Sequence, residues 1–237
     1  MNPNTEKSIT EEEYPIEKYP KSINVERVSY IDPAMVSFPL QALDYIGNIV
    51  ISRGLINDRI EKIANQIIEE YKDSSLTLLV IMKGAVVFAS ALQAKMAGIA
   101  KNNISFGNTI QWEYVTVSSY SNTTSTGEFV LKSAESVLLN LKGKDILVVE
   151  DVFDSGKSLF YLDKLLKKYE FKSLRYAFLF LKKNPKNLSY LIEFDYLGFM
   201  VPNDFLIGFG LDYNECFREL EHLCVINEKG IEKFKKK

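Results

Sequence analysis

Apolar positions recur along this chain with two rhythms. Ile56, Ile60, Ile63, Ile67 and Tyr71 fall at helical spacing, with Asn57 or Asp58 placed to cap the start. Leu76 to Met82, LTLLVIM, is instead a continuous apolar run, suited to a strand buried on both faces of a parallel sheet. The run breaks at Lys83-Gly84, and helical spacing resumes through Val86, Ala89, Ser90 and Leu92. Residues 112–120, WEYVTVSSY, are β-branched and aromatic and predict another strand; the polar SNTTSTG after it predicts a mobile loop. DILVV, Asp145 to Val149, predicts a second buried strand, and Leu159, Leu162, Leu165, Leu166 and Tyr169 mark the amphipathic helix beyond it. LRYAFLFL supplies one more strand, ending at Lys182-Lys183-Asn184-Pro185, and DYLGFMV, FLIGFGL and HLCVI are shorter β-like pieces.

Strands alternating with helices predict an α/β fold built on a mostly parallel sheet with right-handed crossovers. The first forty or so residues are polar, punctuated by Pro3, Pro15, Pro20, Pro33 and Pro39, and without period, so they are expected to wrap a core. At 237 residues the chain suits one domain, with a core over about 50–185 and a smaller layer from about 1–49 and 186–237.

Charge narrows the partners. With 29 Lys+Arg against 31 Asp+Glu, nothing favours nucleic acid or a membrane surface by net charge, and no apolar run reaches the length of a membrane span. Cys216 and Cys224 read as reduced thiols of a cytoplasmic protein; with His222 the only histidine, the usual zinc sets are unavailable. The N-terminus, with Glu11, Glu12 and Glu13, lacks the order of a signal peptide, and the closing lysines read as a solvated tail.

The chemistry concentrates in residues 147–159, LVVEDVFDSGKSL. Gly156-Lys157-Ser158 ends like a Walker A loop, but the first glycine of that motif would fall on Asp151, so the P-loop reading fails on pattern and on charge. What remains is a buried strand that stops at Glu150-Asp151, then a turn, Asp154 to Ser158, that opens a helix. Backbone N–H groups at the helix start and the hydroxyls of Ser155 and Ser158 suit one phosphate monoester. Carboxylates beside them accept from a ribose diol or hold Mg²⁺.

ILVVEDVFDSGKS, Ile146 to Ser158, resembles the phosphoribosyl pyrophosphate signature of type I phosphoribosyltransferases. MKGAVVF, SSYSNTTSTGE, LFLKKNP, GFMVPNDFLIGFGLDYNECFREL and HLCVINEKG are similar, in that order, to the hypoxanthine-guanine phosphoribosyltransferases, from about Asn57 to the C-terminus. The resemblance implies the type I phosphoribosyltransferase fold, a single catalytic domain whose smaller layer is a hood. It also implies transfer of 5-phosphoribosyl to hypoxanthine or guanine, with Mg²⁺, in a homodimer or homotetramer.

By position, the resemblance assigns Glu150 and Asp151 to the ribose, Asp154 to general acid/base catalysis near N7 of the purine, and Ser155, Gly156, Lys157 and Ser158 to the 5′-phosphate. Lys182 would donate to the 6-oxo group, Phe205 and Val152 would sandwich the base, and Leu206 would meet it through backbone. Lys83, Gly84 and Arg218 would hold pyrophosphate; Asp212, with Glu150 and Asp151, would hold Mg²⁺. Ser119 and Tyr120 would belong to a loop, 118–127, that closes over the reaction.

Read without the resemblance, Lys183 and Lys182 are a solvated strand end, Phe205 is core, and Arg218 is a surface charge. Ser118, where mammalian-type enzymes carry lysine, Phe153 and Ala85 depart from the family pattern. Two other readings stand beside purine salvage: a non-catalytic sensor of phosphoribosyl pyrophosphate, and an enzyme preferring xanthine.

Overall fold

The computed structural model describes residues 14–19, 21–100, 110–119, 129–131 and 135–236. Its strands, in chain order, are β1 (Ile23–Asn24), β2 (Ile46–Ile51), β3 (Leu76–Met82), β4 (Ile110–Ser119), β5 (Phe129–Leu131), β6 (Asp145–Phe153), β7 (Ser173–Lys182), β8 (Tyr196–Val201), β9 (Leu206–Ile207) and β10 (Leu223–Ile226). The α-helices are α1 (Arg53–Tyr71), α2 (Ala85–Ala100), α3 (Glu135–Leu139), α4 (Lys157–Leu166) and α5 (Glu228–Lys233). Among the described residues one seven-stranded sheet runs β1-β8-β7-β6-β3-β4-β5, parallel but for β5, and a three-stranded antiparallel sheet runs β2-β10-β9. The architecture is the α/β one expected, a mostly parallel sheet flanked by helices beside a smaller sheet.

The continuous apolar runs are explained by helices on both faces. Leu78, Val80, Leu147 and Val149 pack with Ile56, Ile60, Ile63 and Ile67 of α1 and Phe88 and Leu92 of α2. Their neighbours Leu79, Ile81, Ile146 and Val148 face the other way, onto Leu159, Leu162 and Leu166 of α4. Each such side chain contributes roughly 1.5–3 kcal/mol by leaving water.

Two expectations shift. Helix α1 begins before Asn57 and Asp58: Ser52 is its cap, its Oγ accepting from Leu55 N–H at 3.4 Å. The reason is β2, which sequence periodicity did not separate from the irregular arm and which delivers the chain to Ser52. His222 seals the same helix start, its Nδ1 accepting from Arg53 N–H at 3.0 Å. Strands β1 and β8 lie in the large sheet, not in the smaller layer drawn from 1–49 and 186–237.

The connections place the site. From β3 the chain crosses through α2 to β4 on one side, and from β6 through α4 to β7 on the other. The order therefore reverses between β3 and β6, the position at which open α/β sheets bind ligands. The β3–β6 ladder ends at Val80 with Val149, while β6 stays paired to β7 as far as Phe153 with Leu181. Strands β3 and β6 part at Glu150.

Candidate active site

Two adjoining hollows open at these carboxyl ends. One, of about 360 Å³, is lined by Lys83, Gly84, Asp151, Lys182, Phe205, Leu206, Asp212 and Arg218, among others. The second, of about 240 Å³, is lined by Glu150, Ser155, Gly156 and Ser158. Val152 and Asp154 line both. The residues singled out from the sequence thus converge on one bipartite cleft, with Asp154 at its waist. Lys157 is exposed and does not line the smaller hollow. Ser119 ends β4; Tyr120 and the rest of the loop lie outside the described residues.

The smaller hollow is a turn with little freedom. Gly156 has φ +72°, the left-handed region, and a Cβ there would stand 2.3 Å from Phe153 Cζ. Phe153 is fully buried, edge-on to Phe178 and Phe194, so its ring is the floor beneath the turn. That accounts for the aromatic residue in the signature as packing.

At the waist, Asp154 is held from three directions. Lys182 Nζ donates to its Oδ2 at 3.1 Å, and Asn184 Nδ2 to its Oδ1 at 3.0 Å. Asn187, fully buried, donates through Nδ2 to the carbonyls of Asp154 and Lys182, both at 2.9 Å, and its Oδ1 accepts from Tyr14 O–H at 2.6 Å. One amide therefore ties together the turns that carry the expected acid/base and the expected purine donor. The sequence reading missed both asparagines; Asn184-Pro185 marked only the end of a strand.

Two carboxylates behind the waist share a desolvated position. Burial first, then the Asp151 charge, raises the Glu150 carboxyl well above the ordinary glutamate range. Burial also raises Asp151, against hydrogen bonds from Glu150 and the Val152 N–H. Glu150 Oε2 is shielded and has no hydrogen-bond partner. A Cβ on Gly84 would fall 1.8 Å from Asp151 Oδ2, so only glycine lets the 83–84 loop approach this pair. The Met82–Lys83 peptide that precedes it is cis.

The smaller sheet supplies the far wall. Phe205 is half exposed into the cleft, edge-on to Tyr213 and 6.0 Å from Lys182 Nζ, so it is not core. Its neighbour Asp204 pairs with Arg27 and accepts from Tyr30 O–H at 2.6 Å, so the N-terminal arm braces this wall. Arg218 is no surface charge: Nη1 donates to Gly210 O and Nη2 to Asp212 Oδ1, each at 2.7 Å. Lys183 is buried rather than solvated, reaching Val25 O and Glu26 Oε1, both at 3.3 Å. His222 lies outside the cleft lining, its ring spent on Arg53 N–H and Ser37 O.

A cleft at the switch point of a parallel sheet, with a phosphate-sized turn on one side of an acidic waist and an aromatic wall with a lysine on the other, defines a nucleotide-forming transferase site. Residues 52–214 match the phosphoribosyl transferase domain, and the chain belongs to that family. It is 37% identical over 199 residues to the hypoxanthine-guanine-xanthine phosphoribosyltransferase of Plasmodium falciparum, covering 83% of this chain and 84% of that protein. With the human hypoxanthine-guanine phosphoribosyltransferase it shares 33% over 205 residues, 86% of this chain and 92% of that one. A crystal structure of the hypoxanthine-guanine phosphoribosyltransferase of Schistosoma mansoni in complex with IMP superposes with a TM-score of 0.72 at 28% identity, over 90% of this chain and 98% of that one.

Proposed function

We propose that this chain is a purine-salvage enzyme that transfers 5-phosphoribosyl from phosphoribosyl pyrophosphate to hypoxanthine or guanine, giving IMP or GMP and pyrophosphate. The observation that carries the reading is the waist. Asp154 and Lys182, 3.1 Å apart, face a cleft walled by Phe205 and Val152 and continuous with the Ser155–Ser158 turn.

In this reading the 5′-phosphate lies on the turn, where the unpaired N–H groups of the first turn of α4 and the Ser155 and Ser158 hydroxyls point. Glu150 and Asp151 accept from the ribose hydroxyls, which explains an acidic pair behind a phosphate site. The purine lies against Phe205 with its 6-oxo group toward Lys182; a cation there favours a carbonyl over the amino group of adenine. As the bond from C1′ to N9 forms, the bond from C1′ to the pyrophosphate oxygen breaks, through a state with oxocarbenium character. Asp154 takes the proton released at N7, and the neighbouring carboxylates stabilise the positive charge at C1′. Lys83 and Arg218 hold the departing pyrophosphate.

Among the described residues no cluster of three His, Cys, Asp or Glu side chains could hold a metal alone. The donor set nevertheless fits Mg²⁺ arriving with the diphosphate: Asp212 and the Glu150–Asp151 pair, with its unpartnered buried oxygen, are hard oxygen ligands, and Mg²⁺ takes one or two carboxylates alongside substrate phosphates. Bound there, the ion would neutralise charge on the leaving group.

The same reading makes the chain a cytoplasmic homodimer or homotetramer. Cys216 and Cys224 are free thiols, and no described helix is long and apolar enough to cross a membrane. Purified protein incubated with phosphoribosyl pyrophosphate, Mg²⁺ and each of hypoxanthine, guanine, xanthine and adenine tests the proposal. Nucleotide should form with the first two; no turnover with any base would refute it, and adenine alone would overturn the role of Lys182. Xanthine belongs in the panel because the Plasmodium relative carries that base in its name.

A further inference from the structure

The turn that follows Asp212 carries a carboxylate in an unexpected place. Glu215 Oε2 lies 3.2 Å from Lys83 Nζ and 3.4 Å from Arg218 Nη2, the two cations assigned to pyrophosphate. A single oxygen therefore sits between them. The backbone is committed to this arrangement: Asn214 and Glu215 have φ of 52° and 70°, a region that a glutamate rarely enters. Glu215 N–H also donates to Asp212 Oδ2 at 2.7 Å. Glu215 is more than half exposed, so its side chain can leave these cations without carrying a charge into the core.

We propose, on the reading that this cleft transfers phosphoribosyl groups, that Glu215 is a displaceable stand-in for pyrophosphate. It neutralises Lys83 and Arg218 in the empty site and competes with the diphosphate for them. Donor binding is thereby weakened, and departure of pyrophosphate is eased. Glu215 sets affinity; it is not a catalytic residue. Its exposure and its two cationic neighbours keep the side chain an anion at neutral pH. A diphosphate that reaches the same two cations must either expel this anion or lie beside a like charge, and both cost affinity.

The test is Glu215→Gln in the full chain. Glutamine keeps the size of the side chain and the N–H to Asp212 and removes only the charge. Calorimetric titration with inorganic pyrophosphate in Mg²⁺ buffer should give a Kd about threefold to tenfold lower than in the parent, the range of one or two exposed ion pairs. The gain should shrink as salt is raised toward 1 M. Damage to the fold does not tighten a ligand, so a gain in affinity separates this role from a structural one. Unchanged affinity, weaker affinity, or no binding by either protein would each overturn the proposal. Because the titration needs no turnover, a chain inactive on every base would end the transfer reading while leaving the effect of Glu215 on pyrophosphate measurable.

Discussion

Replacing Asn187 by alanine should loosen the two turns at the waist of the cleft together. The side chain is fully buried and makes three hydrogen bonds, donating to the carbonyls of Asp154 and Lys182 and accepting from Tyr14 O–H. Each neutral bond contributes about 1 kcal/mol net, and more when the abandoned partner stays dry. Three of them put the loss at roughly 3 kcal/mol, or about 6–12 °C in Tm for a chain of this size. Activity should suffer beyond stability, because the acid/base and the purine donor lose a shared tether. A misplacement near 1 Å is worth on the order of a hundredfold in rate.

The assays are thermal unfolding and steady-state turnover with hypoxanthine, run as a cycle with Tyr14→Phe. Tyr14→Phe alone should cost about 1–3 kcal/mol, since it leaves a buried amide oxygen unpaired. On the Asn187→Ala background the same change should cost far less. If Asn187→Ala melts lower yet turns over within about twofold of the parent, the turns are held by something else and the bracing argument is wrong.

Lys182→Ala should lower kcat/KM for hypoxanthine and guanine about tenfold to a hundredfold, the value of a charged hydrogen bond, measured against adenine as a control. Gly156→Ala should raise the KM for phosphoribosyl pyrophosphate and lower Tm, because the new Cβ meets the Phe153 ring; adding Phe153→Val should recover part of the loss. Glu150→Gln should abolish turnover but raise Tm near pH 8. Burial and Asp151 raise the Glu150 carboxyl, so the folded chain keeps a proton that the unfolded chain has released. Stability then falls as pH climbs from the ordinary glutamate range to the folded value, and the penalty is complete above it. The advantage of the glutamine variant should therefore vanish as pH drops toward the ordinary range, which melting curves at several pH values would follow.

Much of this fold and site was legible because both are written in local patterns. LTLLVIM reads as a doubly buried strand whatever surrounds it, and it is β3 to the residue. The turn from Asp154 to Ser158 is contiguous, so its chemistry lies in consecutive residues. What stayed hidden depends on distant partners. No spacing rule pairs Asn187 with Tyr14, 173 positions away, or Glu215 with Lys83, 132 positions away. The start of α1 was misread for a related reason: its second cap is a histidine from the far end of the chain, and β2 is recognisable as a strand only beside β10. Phe205 and Lys183 show the limit in opposite directions. Each is placed by the N-terminal arm, through Asp204 with Arg27 and through Val25, so an apolar residue faces the cleft and a lysine is buried.

The ring of His222 offers a way to watch the smaller sheet. It is the only imidazole in the chain, so its proton and nitrogen resonances need no assignment by mutagenesis. Nδ1 accepts from the start of α1, and Nε2 faces the Ser37 carbonyl at 3.2 Å, which together select the tautomer protonated on Nε2. Nitrogen chemical shifts distinguish the two tautomers. A titration with nucleotide, followed on this one ring, would report in solution whether the layer bearing Phe205 shifts against the large sheet or closes on its ligand as a fixed wall.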